Sequence, residues 1–229
     1  MSVSQPTRLS HRVNRAMLTA TLAFGAAGFA ALTVLSLVAD VSGFTAASLV
    51  YGGSLAICGL CSFLYQMLEG VRCRPLLRYL DHSAIFLLIA GTYTPFAAAG
   101  LHGPFHGSLL TWVWALAFLG ILLKLVLPTT HDRAFVVVYL ALGWIFVSSA
   151  GEVFHSIPAL PLAFLVLGGA AYTAGALIFA RDIGHWTDAV WHGCVLTGSV
   201  THFFAVVTFC LSPAVLGIAH APAALPSLG

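Results

Sequence analysis

HSAIFLLIAGTYTPFAAAGLHGPFHGSLLTWVWALAFLGILL, residues 82–123, contains no Asp, Glu, Lys or Arg. A helix rises about 1.5 Å per residue and the hydrocarbon core of a bilayer is about 30 Å thick, so about 20 apolar residues make one crossing. The run is therefore long enough for two crossings. It divides at GLHGPFHG, residues 100–107, where glycines and a proline mark a turn. Working outward, the chain repeats the pattern. Charge-free runs also cover 16–39, 41–68, 134–151, 153–180 and 189–229.

Composition agrees. Hydrophobic residues make up 60% of the 229 and charged residues 7%, against about 45–50% and about 25% in a soluble domain. So few charges cannot make a folded surface wettable. That excludes a soluble globular enzyme, a disordered tail and a nucleic-acid binder. The formal net charge of +2 carries no information about partners. The sequence predicts an all-α, polytopic membrane protein with seven helices at about 17–38, 46–68, 82–100, 108–127, 134–150, 159–180 and 189–211. Residues 1–15 form a cytoplasmic N-terminal segment, 16–212 a seven-transmembrane helix bundle, and 213–229 a short extracytoplasmic tail rich in Ala and Pro. The first run exceeds the about 7–15 residues of a signal-peptide core, so it reads as a retained span despite Arg8, Arg12 and Arg15 before it.

Orientation follows from the basic residues. With seven spans, Arg8, Arg12, Arg15, Arg72, Arg74, Arg78, Lys124, Arg133 and Arg181 all fall on one side, while the opposite connections hold Asp40 and Glu152. The positive-inside rule then puts the N-terminus in the cytoplasm and the C-terminus outside, in the cell membrane. The five cysteines (Cys58, Cys61, Cys73, Cys194, Cys210) lack the second pair of a zinc knuckle, and four lie in apolar stretches as small hydrophobes.

Polar groups inside apolar runs are costly and need a reason. Ser62 and Gln66 share a face near the cytoplasmic end of the second helix. Asp81 and His82 open the third, and Asp188 and His192 the seventh, with His185 just before them. His202 lies about 15 Å deeper by helix rise. Topology thus sets Ser62, Gln66, Asp81, Asp188 and His192 at one depth in the inner leaflet, a set that suits a metal or acid–base site. The plainer alternative is that Asp81 and Asp188 are helix caps. His102, His106, His131 and His155 fall in connections and His220 in the tail. Tyr93, Thr94 and Pro95 suit a helix kink. Gly168, Gly169, Ala170, Ala171 and Gly175 give the sixth helix a small-residue face for close packing.

The stretch LDHSAIFLLIAGTYTPF, 80–96, resembles the third-helix signature of the hemolysin III family, the bacterial branch of the progestin and adipoQ receptor superfamily. GILLK (120–124), LGW (142–144), GGAAYTAG (168–175) and WHGCVLTGSVTHF (191–203) support the likeness, in order. The resemblance implies seven helices with the N-terminus inside. It also implies a zinc site near the cytoplasmic face, built from a second-helix His and a seventh-helix pair of His four apart, accompanied by a Ser and an Asp. The wider superfamily includes ceramide hydrolases, in which zinc-bound water attacks an amide. Here Ser62 and Asp81 match the catalytic Ser and Asp, and His192 the last His. Gln66 stands at the second-helix His position and Asp188 at the first of the pair, so two of three zinc positions are changed. A gapped alternative makes His185 the displaced ligand.

Two functions remain on these grounds. One is a metal-dependent hydrolase of a lipid amide, with Gln66, Asp188 and His192 around the ion and Ser62 and Asp81 catalytic. The other is a non-catalytic membrane protein, cytolytic or ligand-sensing, with a hydrogen-bonded polar cluster in place of the metal. Membrane lipids are the expected partners in both. A transporter would call for charged groups near the midplane, and in the later helices His202 alone lies that deep.

Overall fold

The computed structural model describes residues 7–39, 44–99, 106–127 and 132–212. Among them every regular element is helical: α1 Arg8–Ala39, α2 Phe44–Met67, α3 Arg74–Ala99, α4 His106–Val126, α5 Asp132–Gly143, a 3₁₀ segment Ile145–Ser149, α6 Ala150–Ser156, α7 Ala159–Arg181 and α8 Thr187–Cys210. The expected tail 213–229 lies outside the described residues, as do His102, His131 and His220.

Local chemistry explains the boundaries. Thr7 sits just before α1, and its Oγ1 accepts the Ser10 N–H at 3.1 Å, as an N-cap hydroxyl does. That cap starts α1 at Arg8, inside the segment expected to precede the bundle and well before residue 17. Beyond α2 the chain turns through Gly70 at φ 76°, a conformation glycine takes without steric cost. The Arg74 guanidinium closes this turn on the Leu68 carbonyl at 3.2 Å. α3 therefore begins a full eight residues earlier than expected, and Asp81 lies within it. The cap reading of Asp81 is thereby corrected. At α8 the N-cap position belongs to Trp186, with no side-chain cap bond. Asp188 is the second residue of the helix, not its cap.

The fifth segment also departs from expectation. The sequence predicts a continuous helix over 134–150, but α5 stops at Gly143 and the chain tightens into the 3₁₀ segment. A helix broken among apolar neighbours leaves backbone groups that must find partners. Tyr93 of α3 supplies one: its hydroxyl donates to the Gly143 carbonyl at 2.7 Å, with the Leu142 carbonyl at 3.2 Å. The same oxygen accepts the Phe146 N–H at 3.3 Å. The Trp144 indole N–H donates to Thr173 of α7 at 3.0 Å. His155 lies in α6 and is exposed.

Neighbours in sequence are neighbours in space. α1 packs on α2, α2 on α3, α3 on α4 and α7 on α8, while α8 returns to α1; α5 touches α3, α4 and α7. The helices thus enclose a central space. Small residues let α7 and α8 approach closely, as in membrane bundles. A Cβ on Gly175 would lie 2.6 Å from the Cβ of Cys194, and one on Gly198 would lie 2.6 Å from the Tyr172 ring. Tyr51, Phe44, Phe86 and Phe209 fill the interior with essentially no exposure, whereas Trp112, Leu122, Val137 and Leu167 face outward. An outer surface this apolar would aggregate in water and suits lipid. Among the described residues five helices, α1, α2, α4, α7 and α8, are long and apolar enough to cross a membrane.

Candidate functional site

The helices surround a cavity of about 640 Å³, inside the roughly 300–1,000 Å³ range of ligand sites. Ser62, Gln66, Asp81, Asp188 and His192 all line it, together with His82. The set expected to share one depth therefore does share one space. His185 is absent from the described lining; its ring packs on Trp186 instead, with centroids 5.9 Å apart.

Ser62 of α2 donates its hydroxyl proton to Asp81 Oδ1 of α3 at 2.5 Å. The Asp81 side chain is 15% exposed, with the His82 ring nitrogen 3.8 Å away. That nitrogen, Nδ1, bonds the Arg78 carbonyl one turn back at 2.8 Å. The Tyr139 hydroxyl donates to the His82 carbonyl at 3.0 Å. A carboxylate held this way can orient a hydroxyl and accept a proton.

His192 is buried, and so is its partner. Nδ1 donates to Asn14 Oδ1 of α1 at 2.7 Å. With Nδ1 so engaged, the neutral ring keeps a lone pair on Nε2. Asn14 was not among the residues singled out from sequence. It lies between Arg12 and Arg15, ahead of the apolar run, and no spacing or motif marks it. Only the longer α1 and its packing on α8 bring the amide to the ring. Gln66 is half-buried and Asp188 exposed at the cavity's rim.

Beyond the polar end the lining changes character. Ile85, Leu88, Phe96, Leu109, Val153 and Ile157 are apolar. Thr92, Tyr93, Trp144, Tyr172, Thr173 and His202 interrupt them, each hydrogen-bonded: His202 Nε2 donates to the Leu165 carbonyl at 3.1 Å, and the Tyr172 hydroxyl pairs with Ser199 at 2.9 Å.

The donor set decides whether zinc fits. Catalytic zinc takes about three protein ligands, drawn from imidazole, thiolate and carboxylate. Gln66 offers a neutral amide oxygen, Asp188 stands exposed, and one imidazole remains. Among the described residues no three His, Cys, Asp or Glu side chains converge as such a centre needs. Gln66 is the poor member of this set for zinc, and Asp188 an acceptable one.

The architecture defines a multi-pass helical membrane protein with an internal cavity, polar at one end and apolar along its depth. Sequence comparison then gives the family. The family model described as Haemolysin-III related matches residues 16–203, and the chain belongs to that family. It is similar to Hemolysin-3 of Bacillus cereus, at 35% identity over 165 residues, which covers 72% of this chain and 75% of that protein. It is also similar to the Hemolysin-3 homolog of Bacillus subtilis (strain 168), at 33% identity over 172 residues, 75% of this chain and 79% of that one. No solved structure matches.

Proposed function

We propose that this protein binds an amphiphilic lipid, with the polar group among Ser62, Gln66, Asp81, Asp188 and His192 and the chain along Ile85, Phe96 and Ile157. The reading includes seven membrane-spanning segments in the cytoplasmic membrane, N-terminus inside, with the polar end of the cavity toward the inner leaflet. In that topology every basic residue lies on the cytoplasmic side. One observation carries the proposal: a ligand-sized cavity whose lining passes from carboxylates and His192 to mostly apolar side chains within one space. A head-and-tail molecule satisfies both halves at once, whereas water would leave the deep half unfavourably wet.

The polar end works without zinc in this reading, because a neutral amide, Gln66, stands among the donors and Asp81 is already engaged by Ser62. The test is composition. Protein purified in a lipid-like detergent should carry co-purified lipid and less than stoichiometric zinc, and Ala176→Phe, which puts a ring into the cavity, should lower the lipid it carries. Stoichiometric zinc in the wild type would refute the metal-free site. Gln66→His combined with Asp188→His restores the family's donors and should raise zinc to about one ion per chain. Lipid content unchanged by Ala176→Phe would refute the binding site itself.

A second reading, hydrolysis of a lipid amide, has one observation in its favour, the hydrogen bond from Ser62 to Asp81. In it Ser62 holds an attacking water and Asp81 takes its proton. Amide-lipid turnover that disappears in Asp81→Asn, with lipid binding intact, would establish it over simple binding.

A further inference from the structure

Arg74 and Arg78 stand four apart on α3 and both line the cavity, whereas Arg72 is exposed and outside the described lining. A positive-inside signal requires arginines on the cytoplasmic side but does not require them to face an internal space. Arg74 is held in place: its guanidinium lies over the Tyr65 ring at 5.0 Å and donates to the Leu68 carbonyl at 3.2 Å. Tyr65 lines the cavity as well. One such bond leaves Arg74 most of its five donors for a ligand.

Charge is layered along α3. Arg74 opens the helix, Arg78 follows one turn on, and Asp81 lies about 10 Å beyond Arg74 by helix rise. Asp81 already accepts the Ser62 hydroxyl, and Asp188 faces the rim from α8. An anion centred at Asp81 would meet a carboxylate, but one centred at the two arginines meets two positive charges, each guanidinium with more donors than one partner takes. Guanidinium forks match the oxygens of a phosphate. Below it, neutral hydroxyl or ester groups would meet the His192 lone pair, Gln66 and the Ser62–Asp81 pair. Volume limits the tail. At about 30 Å³ per water-sized group, close to a methylene, 640 Å³ has room for about 20 such groups, the size of one acyl chain.

We infer that the cavity's ligand is a monoacyl lipid bearing a phosphate headgroup, its phosphate held by Arg74 and Arg78 and its chain in the apolar depth. This rests on the lipid-binding reading above and names the class of lipid.

The experiment measures binding to the purified full chain of three probes: oleoyl lysophosphatidate, monooleoylglycerol, which lacks the phosphate, and inorganic phosphate. Lysophosphatidate should bind at least about tenfold more tightly than monooleoylglycerol, the scale of charge-assisted bonds. Its affinity should fall with salt. Arg74→Gln and Arg78→Gln should each weaken it about tenfold while leaving monooleoylglycerol unchanged, and Arg72→Gln should change neither by more than about twofold. Should a Gln variant lose monooleoylglycerol as well, the Lys variant at that position decides: lysophosphatidate binding restored supports the inference, and loss of it overturns it. Equal affinity for the two lipids, or an Arg72→Gln effect as large as the others, overturns the phosphate assignment while leaving lipid binding standing. Inorganic phosphate bound as tightly as lysophosphatidate would show a free-anion site and overturn the lipid class. Failure of both lipids to bind would defeat the underlying reading instead.

Discussion

The α7–α8 pair and the stretch from α5 through α6 solve the same problem in opposite ways. Both lie in apolar sequence and both line the cavity. α7 and α8 are unbroken helices of 23 and 24 residues, locked where glycines of each receive side chains of the other. α5 has 12 residues, ends at Gly143, and gives way to a 3₁₀ turn held by side-chain hydrogen bonds from α3 and α7. One wall depends on shape, the other on polar anchoring. A wall built on shape fails when volume is added, and a wall built on anchors fails when a hydroxyl is removed.

Added volume should therefore have the largest effect. Gly198→Ala puts a methyl into the Tyr172 ring and is expected to cost about 1–3 kcal/mol, seen as a lower unfolding temperature in detergent, with Gly198→Leu giving no monodisperse protein. Tyr93→Phe removes the hydroxyl that serves the broken backbone; the expected loss is about 0.6–1.7 kcal/mol, the range of hydrogen bonds between membrane helices. If that variant melts with the wild type, the anchoring account is wrong. Gly143→Ala is the smallest change. A Cβ there meets nothing within 4 Å, so stability should stay within about 0.5 kcal/mol. A large loss at Gly143 would erase the distinction between the two walls.

The helical class and the membrane environment were legible because charge is so sparse that its absence marks the helices. Boundaries were less so. Charge-free runs report where charges stop, whereas helices stop where caps and turns act. Thr7 carries α1 back past three arginines, and α3 absorbs Arg74, Arg78 and Asp81. The break at Gly143 was hidden because its cause, Tyr93, lies fifty residues away in α3. The gathering of Ser62, Gln66, Asp81, Asp188 and His192 followed from depth alone. Asn14 did not, because its contact with His192 spans 178 residues and depends on which face α1 turns to α8.

That last contact has a consequence for register. The Nδ1 proton of His192 is buried and needs an acceptor, which Asn14 provides from α1. Sliding α1 by one turn against α8 would strand both the amide and the ring without a partner, at a cost greater than the bond itself contributes. A single polar pair thus fixes how far along one another the two helices can sit, where apolar surfaces alone would tolerate a shift.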